Sequence, residues 1–168
     1  MINAASIKEI RNAIKDDDIQ EVKRLIGYDK EILNTMTAFG TWLHVAAKKG
    51  HLDIVKFLLE KGIDINKKGG TFDGSALNLA AGEGHLEIVQ YLLDHGAEID
   101  VSLAQRNPLF AAIDDGHIEV IKYLVVKGID TSIKYSGENI ENMDAYQYAR
   151  QVGQTEIAEY LKRQLEEK

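Results

Sequence analysis

The amino-acid sequence predicts an all-α fold, an array of stacked helix pairs. Three observations carry the prediction. Segments reading TWLHVAAKKGHLDIVKFLLEKGIDIN from Thr41, SALNLAAGEGHLEIVQYLLDHGAEID from Ser75 and NPLFAAIDDGHIEVIKYLVVKGID from Asn107 align with one another. Their Gly-His pairs (Gly50-His51, Gly84-His85, Gly116-His117) lie 34 and 32 residues apart, a period that belongs to stacked helical units. Within each copy the apolar residues recur every three or four positions, as on one face of a helix.

Each copy opens on an N-cap residue, Thr41, Ser75 or Asn107, whose side-chain oxygen can accept from an unpaired amide of the first turn. Asp144 opens a fourth, and Pro108 suits the first helical position, where its missing N–H costs nothing. The first helix then runs to the glycine. Its inward residues are small (Ala46-Ala47, Ala80-Ala81, Ala111-Ala112), as close stacking of neighbouring backbones requires. After Gly-His, a second helix carries the large apolar stripe, Ile54, Val55, Leu58, Leu59 and again Ile88, Val89, Leu92, Leu93. Gly62, Gly96 and Gly128 follow, where a helix ends in the left-handed conformation that glycine adopts cheaply. From Gly62 to Ala76, Gly96 to Pro108 and Gly128 to Ala145 is 14, 12 and 17 residues, so the last loop is the long one.

These motifs resemble the ankyrin repeat. TWLHVAA stands at that family's Thr-Pro-Leu-His segment, and GHLDIVKFLLEKGIDIN matches its second helix and turn. Upstream, Ile7, Ile10 and Ile14 followed by Ile19, Val22, Leu25 and Ile26 form a further helix pair, with Asp17-Asp18 where Gly-His would stand. Downstream, DAYQYARQVGQTEIAEYLKRQ keeps the spacing through Gly153, Ile157, Tyr160 and Leu161 but surrounds it with polar residues. The resemblance covers nearly the whole chain. It implies one ankyrin-repeat solenoid of helix-turn-helix units with hairpin-like loops: an N-terminal cap at 1–34, repeats at 35–68, 69–100 and 101–130, and a long loop with a C-terminal cap at 131–168. Five pairs stacked at roughly 10 Å make a rod about 50 Å long, with no hydrophobic centre for a buried active site. With a cap at either end, no attached catalytic domain is expected. Trp42 and Ala76 replace the family's proline, and its histidine position holds His44, Asn78, Phe110 and Gln147 in turn. The inter-repeat hydrogen bond implied by that histidine is therefore expected of His44 and left open elsewhere.

Composition narrows the function. The chain has 168 residues, 45% hydrophobic and 28% charged, which is near the globular average. No segment approaches the ~18 apolar residues that span a bilayer, and the first residues have acids where a signal peptide has an apolar run. No membrane association and a cytoplasmic location are the expectation. Absence of cysteine closes disulfide, thiolate and cysteine–zinc chemistry. A net charge of −7 argues against nucleic acid as a partner. Residues 35–68 carry six basic and three acidic residues, whereas residues 69–100 carry six acidic and none basic.

No cofactor, metal or catalytic site is expected. His51, His85 and His117 recur with the repeat, so they stand ~10 Å apart, and zinc–nitrogen bonds of about 2 Å cannot bridge that. GGTFDGS at Gly69–Ser75 has the glycines of a phosphate loop, but no lysine follows Gly74 and no strand precedes it. DINKKGG from Asp64 starts like a calcium loop, yet Lys68 sits at a ligand position and Ser75 replaces the bidentate glutamate. Gly82-Glu83-Gly84 is a fragment of a dinucleotide fingerprint whose third glycine is Glu87. No serine elbow is visible, and Asp114-Asp115, the best carboxylate pair, ends a helix on the open side. The chain is read as no enzyme.

The resemblance implies that a partner protein meets the concave side, made by the loop tips and the exposed end of each first helix. There the residues vary while the frame repeats: Lys48-Lys49, then Glu83 after Gly82, then Asp114-Asp115. The tips add Lys67, Lys68, Phe72, Asp73, Gln105, Arg106 and Tyr135, and Phe39 and Trp42 are the aromatic candidates at the basic end. A tryptophan at a helix start has two readings, an interface anchor or a core residue packed on the N-terminal cap. These fourteen residues are the candidate partner site. The expected function is a monomeric protein-binding module, acting as an inhibitor or an immunity protein that blocks a toxin, since an acidic groove suits a basic toxin or nuclease. A scaffold or assembly factor is the alternative, and an unrecognised hydrolase or small-ligand sensor the remote one.

Overall fold

A computed structural model describes residues 4–137 and 139–166. Its helices are α1 (Ala4–Lys15), α2 (Ile19–Ile26), α3 (Lys30–Leu33), α4 (Trp42–Lys49), α5 (Leu52–Glu60), α6 (Ala76–Gly82), α7 (Leu86–Asp94), α8 (Pro108–Asp114), α9 (Ile118–Val126), α10 (Ala145–Gln151) and α11 (Thr155–Glu166), with one 3-10 turn at Ala104–Arg106. Most are too short to persist alone, so their ends and faces must be held by neighbours. The expected caps do this. Ser75 Oγ accepts from the Asn78 amide at 3.2 Å and Asn107 Oδ1 from the Leu109 amide at 2.9 Å. Asp144 and Gln147 form a reciprocal capping box. In the N-terminal pair, Asp17 adopts φ 56° where the other copies have glycine. Asp18 caps α2 by accepting from the Glu21 amide at 2.9 Å.

The helices form two rows. An inner row of α1, α4, α6, α8 and α10 packs more closely than the outer row of α2, α5, α7 and α9, so the array curves with the inner row on its concave side. Small side chains permit that approach: Ala46, Ala47, Ala80, Ala81 and Ala112 are completely buried, while Ala111 is half-buried at the groove. Between the rows lie Ile54, Val55 and Leu58, then Ile88, Val89 and Leu92, then Val120, Ile121 and Leu124. Leu59 and Leu93 are only partly covered, so the buried stripe is narrower than the spacing suggested.

The repeating histidines belong to this frame. A Cβ on left-handed Gly50 would lie 2.6 Å from the His85 ring, so that glycine is required by both its φ of 81° and the close approach of the next repeat. His85 Nε2 donates to the Lys48 carbonyl at 3.1 Å, and His51 Nε2 approaches the Lys15 carbonyl at 3.4 Å. At the last junction Gln154 takes the same place, with its Nε2 3.4 Å from the Asp114 carbonyl. Three tips are closed by single bridges, Thr37 to Gly40, Gly69 to Gly74 and Tyr135 to Met143. The tip before α8 departs from the hairpin-like expectation and turns through Ala104–Arg106 instead.

Candidate functional site

The concave face is built by the C-terminal ends of the inner helices and by the tips. Three adjoining clefts run along it. The first, about 200 Å³, lies between α1 and α4 and is lined by Arg11, Lys15, Phe39, Val45, Lys48 and Lys49, with His44 at its floor. The second, about 150 Å³, shares Phe39 and Lys48 with the first and adds Phe72, Asn78 and Leu79. The third, about 330 Å³, shares Phe72, Asn78 and Leu79 with the second and ends on Glu83, Gln105, Asp114 and Asp115. Shared walls make these one groove, basic at the N-terminal end, apolar in the middle and acidic at the far end. Phe39 and Phe72 stand on it 57% and 65% exposed, the kind of apolar surface that a monomer leaves open for contact.

Of the fourteen candidates the structure brings Phe39, Lys48, Lys49, Phe72, Glu83, Gln105, Asp114 and Asp115 to this groove. Trp42 is a correction: it is 0% exposed, and its indole N–H donates to the Ile32 carbonyl at 2.7 Å. Its bulk seals α4 against the segment carrying α3, so it cannot touch a partner. Tyr135 works within the frame, its hydroxyl donating to the Val101 carbonyl at 2.6 Å and accepting from Asn107 Nδ2 at 3.0 Å. Burial raises the Tyr135 phenol above its ordinary range, which keeps that hydroxyl protonated. Lys67 and Lys68 are outside the groove. Lys68 pairs with Asp100 at 2.6 Å, and although burial acts to raise the Asp100 carboxyl, hydrogen bonds from Lys68 and Ser102 outweigh it and hold it at about 2.

Charges in the groove and at the tips beside it meet a neighbour across a repeat junction. Lys48 lies 3.7 Å from Glu83, Arg106 lies 2.9 Å from Asp73, and the Tyr148 hydroxyl donates to Asp114. The two exposed ion pairs among these contribute about 0–1 kcal/mol each, so a partner can replace them at small cost. Lys49 and Asp115 make no ion pair among the described residues. Arg11 and Lys15 went unnoticed in the sequence although a signal for them existed. Once Asp17-Asp18 is aligned with Gly-His, Lys15 stands at the Lys48 position and Arg11 at the His44 position.

His44 is the frame's main polar fastener at the basic end. Its Nδ1 accepts from the Thr41 amide at 3.2 Å, which places the ring proton on Nε2, and Nε2 donates to the Gly74 carbonyl at 3.1 Å. Burial holds its pKa below the ordinary histidine value, so the ring is neutral near pH 7. Asn78 at the equivalent position of the next repeat is too short to reach as far, and its buried Nδ2 has no hydrogen-bond partner among the described residues.

The paired rows and tips fit the model of a known family, ankyrin repeats in three copies, which matches residues 10–103 and 68–135, about three-quarters of the chain. The chain belongs to the ankyrin-repeat family. Relatives agree over shorter stretches. An E3 ubiquitin-protein ligase of Arabidopsis thaliana is 39% identical over 66 residues, 38% of this chain and 13% of the relative. A protein of Oryza sativa subsp. japonica named for the same activity is 38% identical over 65 residues, again 38% of this chain and 13% of the relative. A fowlpox virus protein named for its ankyrin repeats is 38% identical over 60 residues, 36% of this chain and 10% of its own. The chain thus spans about an eighth or less of the length of these relatives, and the likeness concerns the ankyrin region. Ankyrin repeats are protein–protein interaction modules, generally non-enzymatic, and this array is one. No helix among the described residues is long and apolar enough to cross a membrane.

Proposed function

We propose that this ankyrin array, as a monomer in the cytoplasm and without catalysis of its own, binds one partner protein along the concave groove and acts by occupying that partner's surface, as an inhibitor or immunity protein does. One observation carries the reading. Three adjoining clefts merge into a single groove whose ends differ in charge, Lys48-Lys49 at one and Asp114-Asp115 at the other. Complementary potentials speed association and reject wrong partners, so a groove charged in this order selects a partner surface charged in the opposite order. Its acidic end favours a basic patch on that partner.

Reversal of Lys48 and Lys49 to glutamate tests the reading on whichever partner a pull-down recovers. Both lysines are exposed, so folding stability should change by no more than about 1 kcal/mol. Association should slow, and the slowing should be steepest at low salt. The control reverses Lys56 and Lys61, which lie on and just beyond outer helix α5 over the Tyr91 and Tyr28 rings. Equal slowing from the two pairs, or more from the outer pair, places the partner on the other face and removes the proposal.

A further inference from the structure

We infer that the groove is shaped for an extended segment of the partner, with carboxylates at one end, apolar side chains in the middle and lysine or arginine at the other. The inference rests on the concave-face reading above and names the chemistry it recognises. At the basic end, Arg11, Lys15 and Lys49 make no ion pair among the described residues, and they converge on one cleft in a chain whose net charge is −7. The Arg11 guanidinium is held 5.1 Å from the Phe39 ring centroid, and its Nε is buried without a hydrogen-bond partner among the described residues. A guanidinium held over a ring keeps its planar fork of outer N–H donors in one orientation, and that fork matches a carboxylate. A cleft of about 200 Å³ has room for acidic side chains but not for a run of nucleotides, and Glu83 and Asp114-Asp115 further along repel a polyanion.

The middle of the groove gives a second requirement. Phe39, Phe72 and Leu79 line the second cleft with Lys48 as its only lining charge, so apolar side chains of the ligand belong there. Asn78 sits where the second and third clefts meet with an unpaired amide nitrogen. The acidic end supplies the third requirement through Glu83 and Asp115. Three repeat spacings of roughly 10 Å correspond to about nine or ten residues of extended chain at ~3.3 Å each. Order of charge, not composition, is what such a groove reads.

The test uses the full chain and a fluorescein-labelled synthetic peptide of about ten residues with two glutamates at one end, leucines in the centre and two lysines at the other. A scrambled peptide of the same composition, with its charges interleaved, is the comparison. Fluorescence anisotropy should show the ordered peptide binding about tenfold or more tightly than the scrambled one, with the difference shrinking at high salt. Arg11→Gln with Lys15→Gln should abolish that preference, while Lys56→Gln with Lys61→Gln should leave it. Emission from buried Trp42 confirms that each variant remains folded. Equal affinity for the two peptides, retention of the preference in the Arg11/Lys15 variant, or tighter binding of an oligothymidylate than of the ordered peptide overturns the inference. The two proposals fail separately: if no peptide is preferred but Lys48/Lys49 reversal still slows the recovered partner, the groove takes a folded surface.

Discussion

His44 and Phe110 occupy equivalent places in repeats two apart in the array and fasten the next tip by different chemistry. His44 links the Thr41 amide to the Gly74 carbonyl through its two ring nitrogens. Phe110 has no polar atom to offer. It packs edge-on against Tyr135 with centroids 4.9 Å apart and stacks on Tyr148, also at 4.9 Å. The polar link is transferred to Tyr135, whose hydroxyl joins Val101 and Asn107. What the frame demands is therefore a filled gap and satisfied tip carbonyls, not a histidine. Asn78 between them meets neither demand fully, and that is where two clefts of the groove join.

Phe110→Ala should have the largest effect, about 3–5 kcal/mol, because it leaves a cavity and takes away both ring contacts. Urea unfolding measures it, and a loss below about 1 kcal/mol would mean that the aromatic cluster does not fasten this junction.

His44→Leu should cost about 1–3 kcal/mol at pH 7, since the Gly74 carbonyl and the Thr41 amide lose their partner. It should also change the pH response. The folded pKa of His44 is lowered by burial, so between it and the unfolded value of about 6.5 the unfolded chain binds the extra proton. The stability from the neutral ring is complete above about pH 6.5 and is lost as pH falls through the lowered folded value. Melting temperatures from pH 8 to 5 should fall more steeply for the natural chain than for His44→Leu; parallel curves would remove His44 as the origin.

Asn78→Leu should have the smallest effect, within about 1 kcal/mol in either direction, because it removes a buried amide nitrogen that has no hydrogen-bond partner among the described residues. A loss above about 2 kcal/mol would show that Asn78 fastens its junction as His44 does, and the contrast would collapse.

Much of the frame was legible because its causes are local and repeated. N-cap chemistry at Ser75, Asn107 and Asp144, alanine pairs in the inner helices and the apolar stripe of the outer helices each follow from residues within a few positions of one another. The candidate site was legible in part. Lys48, Lys49, Glu83, Asp114 and Asp115 could be placed because the repeat fixes which positions end a first helix. Trp42 could not: the choice between surface and core depended on α3, whose single turn from Lys30 to Leu33 carries no repeat signal. Arg11 and Lys15 were missed because the first pair lacks the Gly-His mark that registers the others.

By itself the sequence determined the helix pairs, their caps and the order of charge along the chain, since each depends on neighbours three, four or about thirty-three residues away in a regular period. Only the tertiary structure decided that Arg11 braces on Phe39, that Tyr135 replaces a histidine's hydrogen bond, and that three separate gaps merge into one groove. Those outcomes depend on side chains of adjacent repeats meeting at particular distances. A one-dimensional period states which residues are equivalent, but not which of them touch.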